Sequence, residues 1–279
     1  MLDKWFKKEK PMFTMLGMGG GNANRALAGG LGPFQASGGT KSGPTGGYFY
    51  HVFDSGSTTP FSVDDGEGTI EVLLIGAGGG GGSGAGGDGG SGGGGGACGV
   101  FSAPASKGVY PVSVAPSTQY PGGNPGLGSG NGRSGPPSQL GPPTAYIRAG
   151  GGGPGGERRG PAGSGGTNSF NWSGATLDSD YAGNNGTQPP NSNPISQRNG
   201  SPGGSVGGRP QSPTLWWRPY MNGTQGSGNG GTGQGAGTPG STGLDYGGGG
   251  GGGGGNPGGP SQASHSGGGR IVIRYPDAI

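Results

Sequence analysis

The sequence is poor in the residues from which most proteins build their interiors and catalytic sites. Of 279 residues, 26% are hydrophobic and 10% are charged, with one cysteine and two histidines. A single cysteine excludes a disulfide within the chain, and so little apolar mass excludes a large conventional core. A net charge of +3 is too weak to indicate a nucleic-acid partner. No apolar run approaches the roughly 20 residues that cross a bilayer, so we expect no membrane insertion.

Patterns typical of catalytic and metal sites are equally sparse. His51 and His265 lie far apart in the sequence, and no three or four ligand residues have the close spacing of a metal site. The adjacent carboxylates Asp64-Asp65 are typical of a solvated turn, since a calcium loop needs more regularly spaced oxygens. G-x-G-x-x-G recurs many times, but no helix follows it to bind a phosphate. The sequence therefore predicts no enzyme, no cofactor and no metal.

Glycine is what the chain has in abundance, with 83 residues, alongside 26 prolines. The longest tract is Ile75–Gly96, and another lies at Gly247–Gly255. Such a composition is typical of flexible linkers. The alternative is an array of extended glycine helices of the polyproline II type, with three residues per turn and hydrogen bonds directed sideways. Strand-like sequence beside the tracts, at Thr69–Ile75 and Arg270–Tyr275, favours the array, because a linker needs no flanking strands.

Short strands are predicted around these tracts from runs of aromatic and β-branched residues. The predicted strands are Tyr48–Phe53, Thr59–Val63, Thr69–Ile75, Ala97–Ser102, Val109–Val114, Ala145–Arg148 and Arg270–Tyr275. A turn is predicted at Asp64–Gly68, and Pro104–Gly108 connects two of the strands. The predicted fold is thus mostly irregular and all-β, with short strands framing a sandwich of packed polyglycine II helices and with an extended N-terminal arm.

The first 21 residues carry several large apolar side chains close together, which indicates a segment that docks onto a partner. The candidate docking side chains are Trp5, Phe6, Phe13, Met15 and Leu16. A frayed terminus and a membrane-surface helix are the alternatives for this segment. Residues 22–47 are rich in small and polar side chains and are predicted to be a linker. Residues 48–279 then form the glycine-rich domain.

Isolated aromatic residues stand out in the region of about 157–246, which is predicted to contain display loops. Two stretches are rich in them, Asn168–Tyr181 and Leu215–Tyr220. Trp, Tyr and Arg dominate binding hot spots, and aromatic faces also stack on sugar rings. The candidate binding residues are Trp216, Trp217, Arg218, Tyr220, Phe170, Trp172 and Tyr181. The alternative is that these rings cover the glycine core as a lid.

Several motifs follow one another in an order that resembles a known family. They are Tyr48–Val52 (YFYHV), Val72–Ala77 with its glycine tract, Tyr110–Val114 (YPVSV), Ile147–Gly153 (IRAGGGG) and Gly267–Tyr275 (GGGRIVIRY). Together they resemble the glycine-rich domain of bacteriophage tail-fibre and other virion surface proteins. The resemblance covers about Tyr48 to the C-terminus and does not include residues 1–47. It implies similarity to fibre-tip adhesins, in which packed polyglycine II helices carry host-binding loops at the distal end.

The resemblance predicts a virion structural protein of the tail-fibre type, located on a tail fibre or elsewhere on the particle surface. Its N-terminal segment would attach to other virion proteins, and its loops would recognise a glycan or an outer-membrane protein of the host cell. Trimers are common among fibres, so a homotrimer is one expectation, although no coiled-coil pattern is present. The alternative function is a capsid decoration or cementing protein with a purely structural role.

Overall fold

The computed structural model describes residues 33–84, 88–116, 130–158, 160–189, 200–205, 215–220, 240, 242–243, 246–254 and 265–277. Within these ranges the chain forms eleven β-strands and a short 3₁₀ turn at Arg218–Tyr220, and no α-helix. The predicted all-β class is therefore confirmed. The N-terminal docking candidates Trp5, Phe6, Phe13, Met15 and Leu16 lie outside the described residues.

The strands range from two to fifteen residues in length. In chain order they are β1 (Gln35–Ser37), β2 (Thr40–Thr45), β3 (Tyr48–Phe53), β4 (Phe61–Ile75), β5 (Cys98–Tyr110), β6 (Val112–Ser113), β7 (Ser138–Leu140), β8 (Ile147–Ala149), β9 (Asn168–Phe170), β10 (Thr176–Tyr181) and β11 (Arg270–Pro276). The two longest strands, β4 and β5, are joined through the first glycine tract.

Seven strands form a larger sheet in the order β10-β5-β4-β11-β3-β2, with β1 also paired to β4. All of these pairings are antiparallel. The last strand, β11, lies between β3 and β4, so Ile273 is opposite His51 on one side and Val72 on the other. The C-terminal strand therefore forms the centre of the sheet and connects its two halves.

Alternation along the strands gives the larger sheet two apolar faces. The inner face contains Val72, Leu74 and Phe101, which are fully buried against the smaller sheet. The outer face contains Leu73 and Val272, which are equally buried although no second sheet covers them. A separate segment of chain must therefore cover the outer face.

The smaller sheet has four short strands in the order β6-β7-β8-β9. Its apolar side chains, including Leu140 and Ile147, pack on the inner face of the larger sheet. Ser138 Oγ donates a hydrogen bond of 2.6 Å to the carbonyl of Ile75, which fixes one end of the smaller sheet to the end of β4. Because its strands are so short, the smaller sheet covers only part of the fifteen-residue β4.

A linker is predicted for residues 22–47; residues 22–32 lie outside the described residues, and the structure corrects the prediction for the rest. Residues 35–37 and 40–45 form β1 and β2, which pair with β4 and β3. Their residues have little intrinsic strand preference, and the pairing partners decide their conformation. Gly38 and Gly39, both with positive φ, turn the chain between the two strands.

The turn and the connection predicted within the strand region are also corrected. Asp64–Gly68 is part of a continuous β4, where the register with β5 shifts between Val63 and Glu67. This shift is a β-bulge, and Gly66 adopts a positive φ of 78° within it. Pro104 likewise lies inside a continuous β5, beyond the end of β10, where it is opposite Thr69 and no neighbour needs its missing N–H.

The glycine-rich residues form nine segments beside the sheets. We name them G1 (76–84), G2 (88–97), G3 (130–136), G4 (150–156), G5 (161–167), G6 (182–187), G7 (200–205), G8 (247–254) and G9 (265–269). Every described residue of G1 and G8 is buried. None of the segments belongs to either sheet, so their backbone groups find other partners.

Backbone hydrogen bonds between the segments repeat every three residues. In G1, the N–H groups of Gly76, Gly79 and Gly82 donate to the carbonyls of Ala97, Gly94 and Ser91 in G2. The N–H groups one residue further on, Ala77, Gly80 and Ser83, donate to Pro136, Arg133 and Gly130 in G3. The carbonyls of Gly79 and Gly82 accept from Gly250 and Gly253 in G8. One segment is thus bonded to several neighbours that surround it.

The segments approach so closely that no side chain fits between them. A Cβ placed on Gly79 would lie within bonding distance of the carbonyl of Gly153, and one on Gly94 would collide with Ser164 in the same way. Both neighbours are backbone atoms that cannot turn aside. The glycine content is therefore a steric requirement of this packing.

The molecule has two distinct ends. G1 leaves the sheets at Ile75, G2 returns to them at Cys98, and G9 enters β11 at Arg270. Described residues between segments, such as 157–158 and 160, lie at the other ends of the segments. The last described residue, Asp277, lies at the opposite end of the molecule, since its N–H donates to Gly47 O at 2.8 Å, beside the first residue of β3.

Candidate functional site

The segment Leu215–Tyr220 covers the outer face of the larger sheet. Trp217 is 2% exposed and packs with Leu73 and Val272, and its ring lies 5.8 Å from that of Tyr181. The N–H of Tyr220 donates to the carbonyl of Trp217, which forms the 3₁₀ turn. For Trp217 the lid interpretation therefore applies, because a buried ring offers no surface to a receptor.

Arg274 of β11 holds the same segment from the sheet. Its Nε and Nη2 both donate to Glu71 Oε2, at 3.0 and 2.6 Å. Its guanidinium carbon lies 4.1 Å from the ring centroid of Tyr48 and 4.3 Å from that of Trp216. Trp216 is thus half-buried in a stack with an arginine, an arrangement that favours a fixed ring position.

Leu215–Tyr220 and Tyr246 together form what we call the covering layer, and Arg270, at the start of β11, makes a second set of contacts with it. It forms an ion pair with Asp54 at 2.7 Å and donates from Nη1 to the carbonyl of Tyr220 at 2.9 Å. Its guanidinium carbon also lies 4.4 Å from the ring centroid of Tyr246. Burial raises the pKa of both Tyr220 and Tyr246, and the nearby arginine opposes that rise. Both tyrosines therefore remain neutral at physiological pH.

The other predicted stretch, Asn168–Tyr181, forms strands β9 and β10 and the turn between them. Phe170 is 44% exposed, with its ring edge-on to Phe101 at 6.0 Å. Trp172, in the turn, stacks on Tyr110 with ring centroids 5.1 Å apart and an interplanar angle of 12°. Among the candidate binding residues, Phe170 and Trp172 lie outside the covering layer and retain exposed ring surface.

An open cleft of about 660 Å³ lies beside the Trp172–Tyr110 stack. Its walls are β4, β5, the turn between β7 and β8, and the turn between β9 and β10. The lining includes Glu67, Gly68, Ser106, Val109, Pro142 and Trp172. Val109 is 67% exposed, which is unusual for a large apolar side chain. The cleft combines an apolar floor with a carboxylate at its rim, so it suits an apolar group beside a cation or a hydroxyl.

Residues 156–158 and 160–161 belong to a hydrogen-bonded turn at the end of the glycine segments remote from the sheets. Gly156 N–H donates to Pro161 O at 2.7 Å, and Glu157 N–H donates to the side-chain oxygen of Asn131 at 3.0 Å. Arg158 is exposed and has a positive φ of 39°, a conformation that side chains rarely adopt. This turn therefore presents a charged side chain from a fixed backbone.

The buried titratable groups fit a structural role. His51 Nδ1 lies 2.7 Å from Gly38 O and so carries the proton, and Nε2 lies 3.4 Å from the hydroxyl of Tyr275. Burial lowers the pKa of His51 more than the hydrogen bond to Gly38 raises it. Burial raises the pKa of the Cys98 thiol, which keeps that thiol protonated and unreactive.

Among the described residues, no three His, Cys, Asp or Glu side chains converge as a metal site would require. The described part of the chain also contains no helix long and apolar enough to cross a membrane. His51 is buried in the larger sheet, whereas His265 is exposed at the start of G9.

Sequence reasoning missed the residues that fix the aromatic layer. The sequence pattern predicts a strand for Arg270 and Arg274 without indicating their contacts, and it does not pair Tyr110 with Trp172. A usable signal was the alternation in RIVIRY, which places both arginines on the face opposite Ile271 and Ile273. The partner of Trp172 had no such signal, because that stack joins residues 62 positions apart in the sequence.

Comparison with known proteins adds no relative. No family model matches the chain, and no curated protein matches it significantly.

Proposed function

We propose that G1 to G9 form a sandwich of packed polyglycine II helices. The main support is that the hydrogen bonds between segments recur every three residues. This period matches the three residues per turn of such a helix. A polyglycine II helix has no internal hydrogen bonds, so its N–H and C=O groups must bond to neighbouring helices. The nine residues of G1 would extend roughly 28 Å at the rise of this helix.

We further propose that the protein is a virion surface protein of the tail-fibre adhesin type, attached through its N-terminal segment. Two considerations support this. The sequence resembles the glycine-rich domain of such proteins, and the two ends of the molecule suit the role. The first described residues lie near the far end of β4, since Gln35 is opposite Asp65, while the turn at Arg158 lies at the other end. One end can then attach while the other contacts the host.

A rigid body between these ends has a physical advantage. A flexible loop loses conformational entropy when it binds, which lowers its affinity. A turn that is already ordered avoids part of this cost. The hydrogen bonds from Glu157 to Asn131 and from Gly156 to Pro161 fix the turn that carries Arg158. We therefore propose that the turns between the glycine segments recognise the host. Trp217 belongs to the covering layer and does not take part.

Immunogold labelling of intact particles tests the assignment. An antibody against the full-length chain should label the tips of tail fibres. Labelling spread over the capsid would instead support a decoration or cementing protein, and the absence of this chain from purified particles would contradict both roles.

Binding of the fluorescently labelled full-length chain to intact host cells tests where recognition occurs. Arg158→Gly should weaken that binding, because it removes an exposed charge from the turn, and glycine accepts the positive φ without strain. Lys107→Ala is the matched control, since it removes an exposed positive charge at the sheet end. If Lys107→Ala weakens binding and Arg158→Gly does not, recognition lies at the sheet end and our placement is wrong.

A further inference from the structure

The cleft beside Trp172 exists because the two sheets differ in length. Ser138 fixes the smaller sheet to Ile75, and Pro142 and Ala145 of the turn between β7 and β8 line the cleft together with Thr69 of β4. Beyond that point the inner face of the larger sheet continues through Gly68 and Ala105 without a strand of the smaller sheet above it. The cleft thus lies where the smaller sheet stops, and Val109, which is 67% exposed, lines it.

The described chain begins at the edge of this cleft. The ring of Phe34 lies over Gly68, where a Cβ built on the glycine would meet the ring at 3.2 Å. Phe34 also packs on Tyr275, with ring centroids 4.6 Å apart. Since Gly68 lines the cleft, residues 1–32 are joined to the fold directly beside it.

Charge on the rim favours a basic occupant. Glu67 lines the cleft, and two more exposed carboxylates, Asp64 and Asp65, lie further along β4, where Lys41 and Lys107 are nearby basic side chains. The N-terminal sequence has four lysines, at positions 4, 7, 8 and 10, which outnumber Asp3 and Glu9, and apolar side chains follow at positions 12, 13, 15 and 16. A basic stretch followed by an apolar one matches a carboxylate rim beside an apolar cleft.

We propose that the cleft is a docking site for Met12–Leu16 of the protein's own N-terminal segment. Phe13 and its apolar neighbours lie against Val109 and Trp172, and the preceding lysines lie toward the carboxylates of β4. Sixteen residues separate Leu16 from Pro33, and a glycine-rich chain of that length spans about 20–24 Å. Tethering at that distance gives an effective concentration on the order of millimolar, so even a weak peptide site is filled.

This inference does not depend on the virion assignment. If the N-terminal segment also attaches the protein to a particle, the cleft and the attachment partner compete for the same apolar side chains. In the free protein the cleft then covers these apolar side chains, which would promote aggregation if they were exposed.

Amide hydrogen exchange of the full-length protein tests the proposal. Exchange in peptides covering residues 12–16 should be roughly tenfold or more slower than in an unstructured peptide, as expected for a docked segment. Val109→Lys places a charge in the cleft at a side chain that is already 67% exposed, so folding should survive. In this variant the protection of residues 12–16 should be lost. Phe170→Lys makes the same change at an exposed apolar residue outside the cleft and should leave the protection intact.

Unprotected residues 12–16 in the wild-type protein would overturn the proposal, as would protection that Val109→Lys leaves unchanged. Photo-crosslinking from a benzoylphenylalanine at position 13 provides a second measurement. Crosslinks to β4 and β5 support docking, and crosslinks elsewhere contradict it. Mixing isotope-labelled and unlabelled protein distinguishes docking within one chain from docking between two copies. Crosslinks between differently labelled chains show that the segment occupies the cleft of a second copy.

Discussion

A single methyl group between two glycine segments should destabilise the protein severely. In Gly79→Ala the new Cβ would collide with the carbonyl of Gly153, with Gly152 on the same side. To make room, G1 must move away from G4, which breaks the bonds from Gly152 N–H to Ala77 O and from Gly155 N–H to Gly80 O, each now 2.9 Å.

The magnitude follows from those two bonds. Each buried polar group left without a partner costs about 1–3 kcal/mol. Two broken bonds leave two N–H and two C=O groups unpaired, so the cost is about 4–12 kcal/mol before any wider displacement. The total stability of a folded domain is only about 5–15 kcal/mol. Gly79→Ala should therefore lower the urea unfolding midpoint strongly or prevent folding.

Gly108→Ala is the matched control for this experiment. Gly108 lies in β5 with an ordinary φ, and a Cβ there meets only Ser106 O, at 3.7 Å. The same substitution should change stability by less than about 1 kcal/mol. Equal unfolding midpoints for the two variants would refute the steric argument, because only Gly79 is enclosed by backbone.

Three further predictions concern the sheets. Arg274→Gln should cost about 2–3 kcal/mol in chemical unfolding, because it leaves Glu71 without its partner, and Arg274→Lys should restore only part of this since lysine lacks the forked donor. Stability should fall as pH decreases through about 6.5, because the unfolded chain protonates His51 before the folded one does; His51→Gln should flatten that slope, and an unchanged slope would assign it to other groups. Trp217→Ala should cost about 3–5 kcal/mol, whereas Trp172→Ala should cost about 1 kcal/mol, and the reverse order in thermal unfolding would contradict the assigned burial.

Local sequence patterns predicted the all-β class and the central strands. The runs Tyr48–Phe53 and Arg270–Tyr275 coincide with β3 and nearly all of β11, because aromatic and β-branched residues suit a pleated, buried surface. The interpretation of the glycine tracts as hydrogen-bonded helices remains a proposal, supported here by the three-residue repeat between segments.

The errors arose where distant residues decide local structure. β2 contains Gly43 and Pro44, which argue against a strand, yet it pairs with β3. The acidic stretch at Asp64 was predicted to be a turn and is instead a bulge within β4. For the candidate site, the sequence identified Trp217 and Trp172 as notable but could not predict which one is buried, because burial depends on long-range packing against the sheets.

The central claim is that, among the glycine segments, backbone hydrogen bonds take the place of an apolar core. Amide exchange at Gly78, Gly79 and Gly80 tests this claim most directly. These three consecutive N–H groups donate to Gly267, Gly94 and Arg133, in three different segments. We predict slow exchange at all three positions. Exchange at the rate of an unstructured peptide, or protection limited to alternate residues as at the edge of a sheet, would contradict the claim.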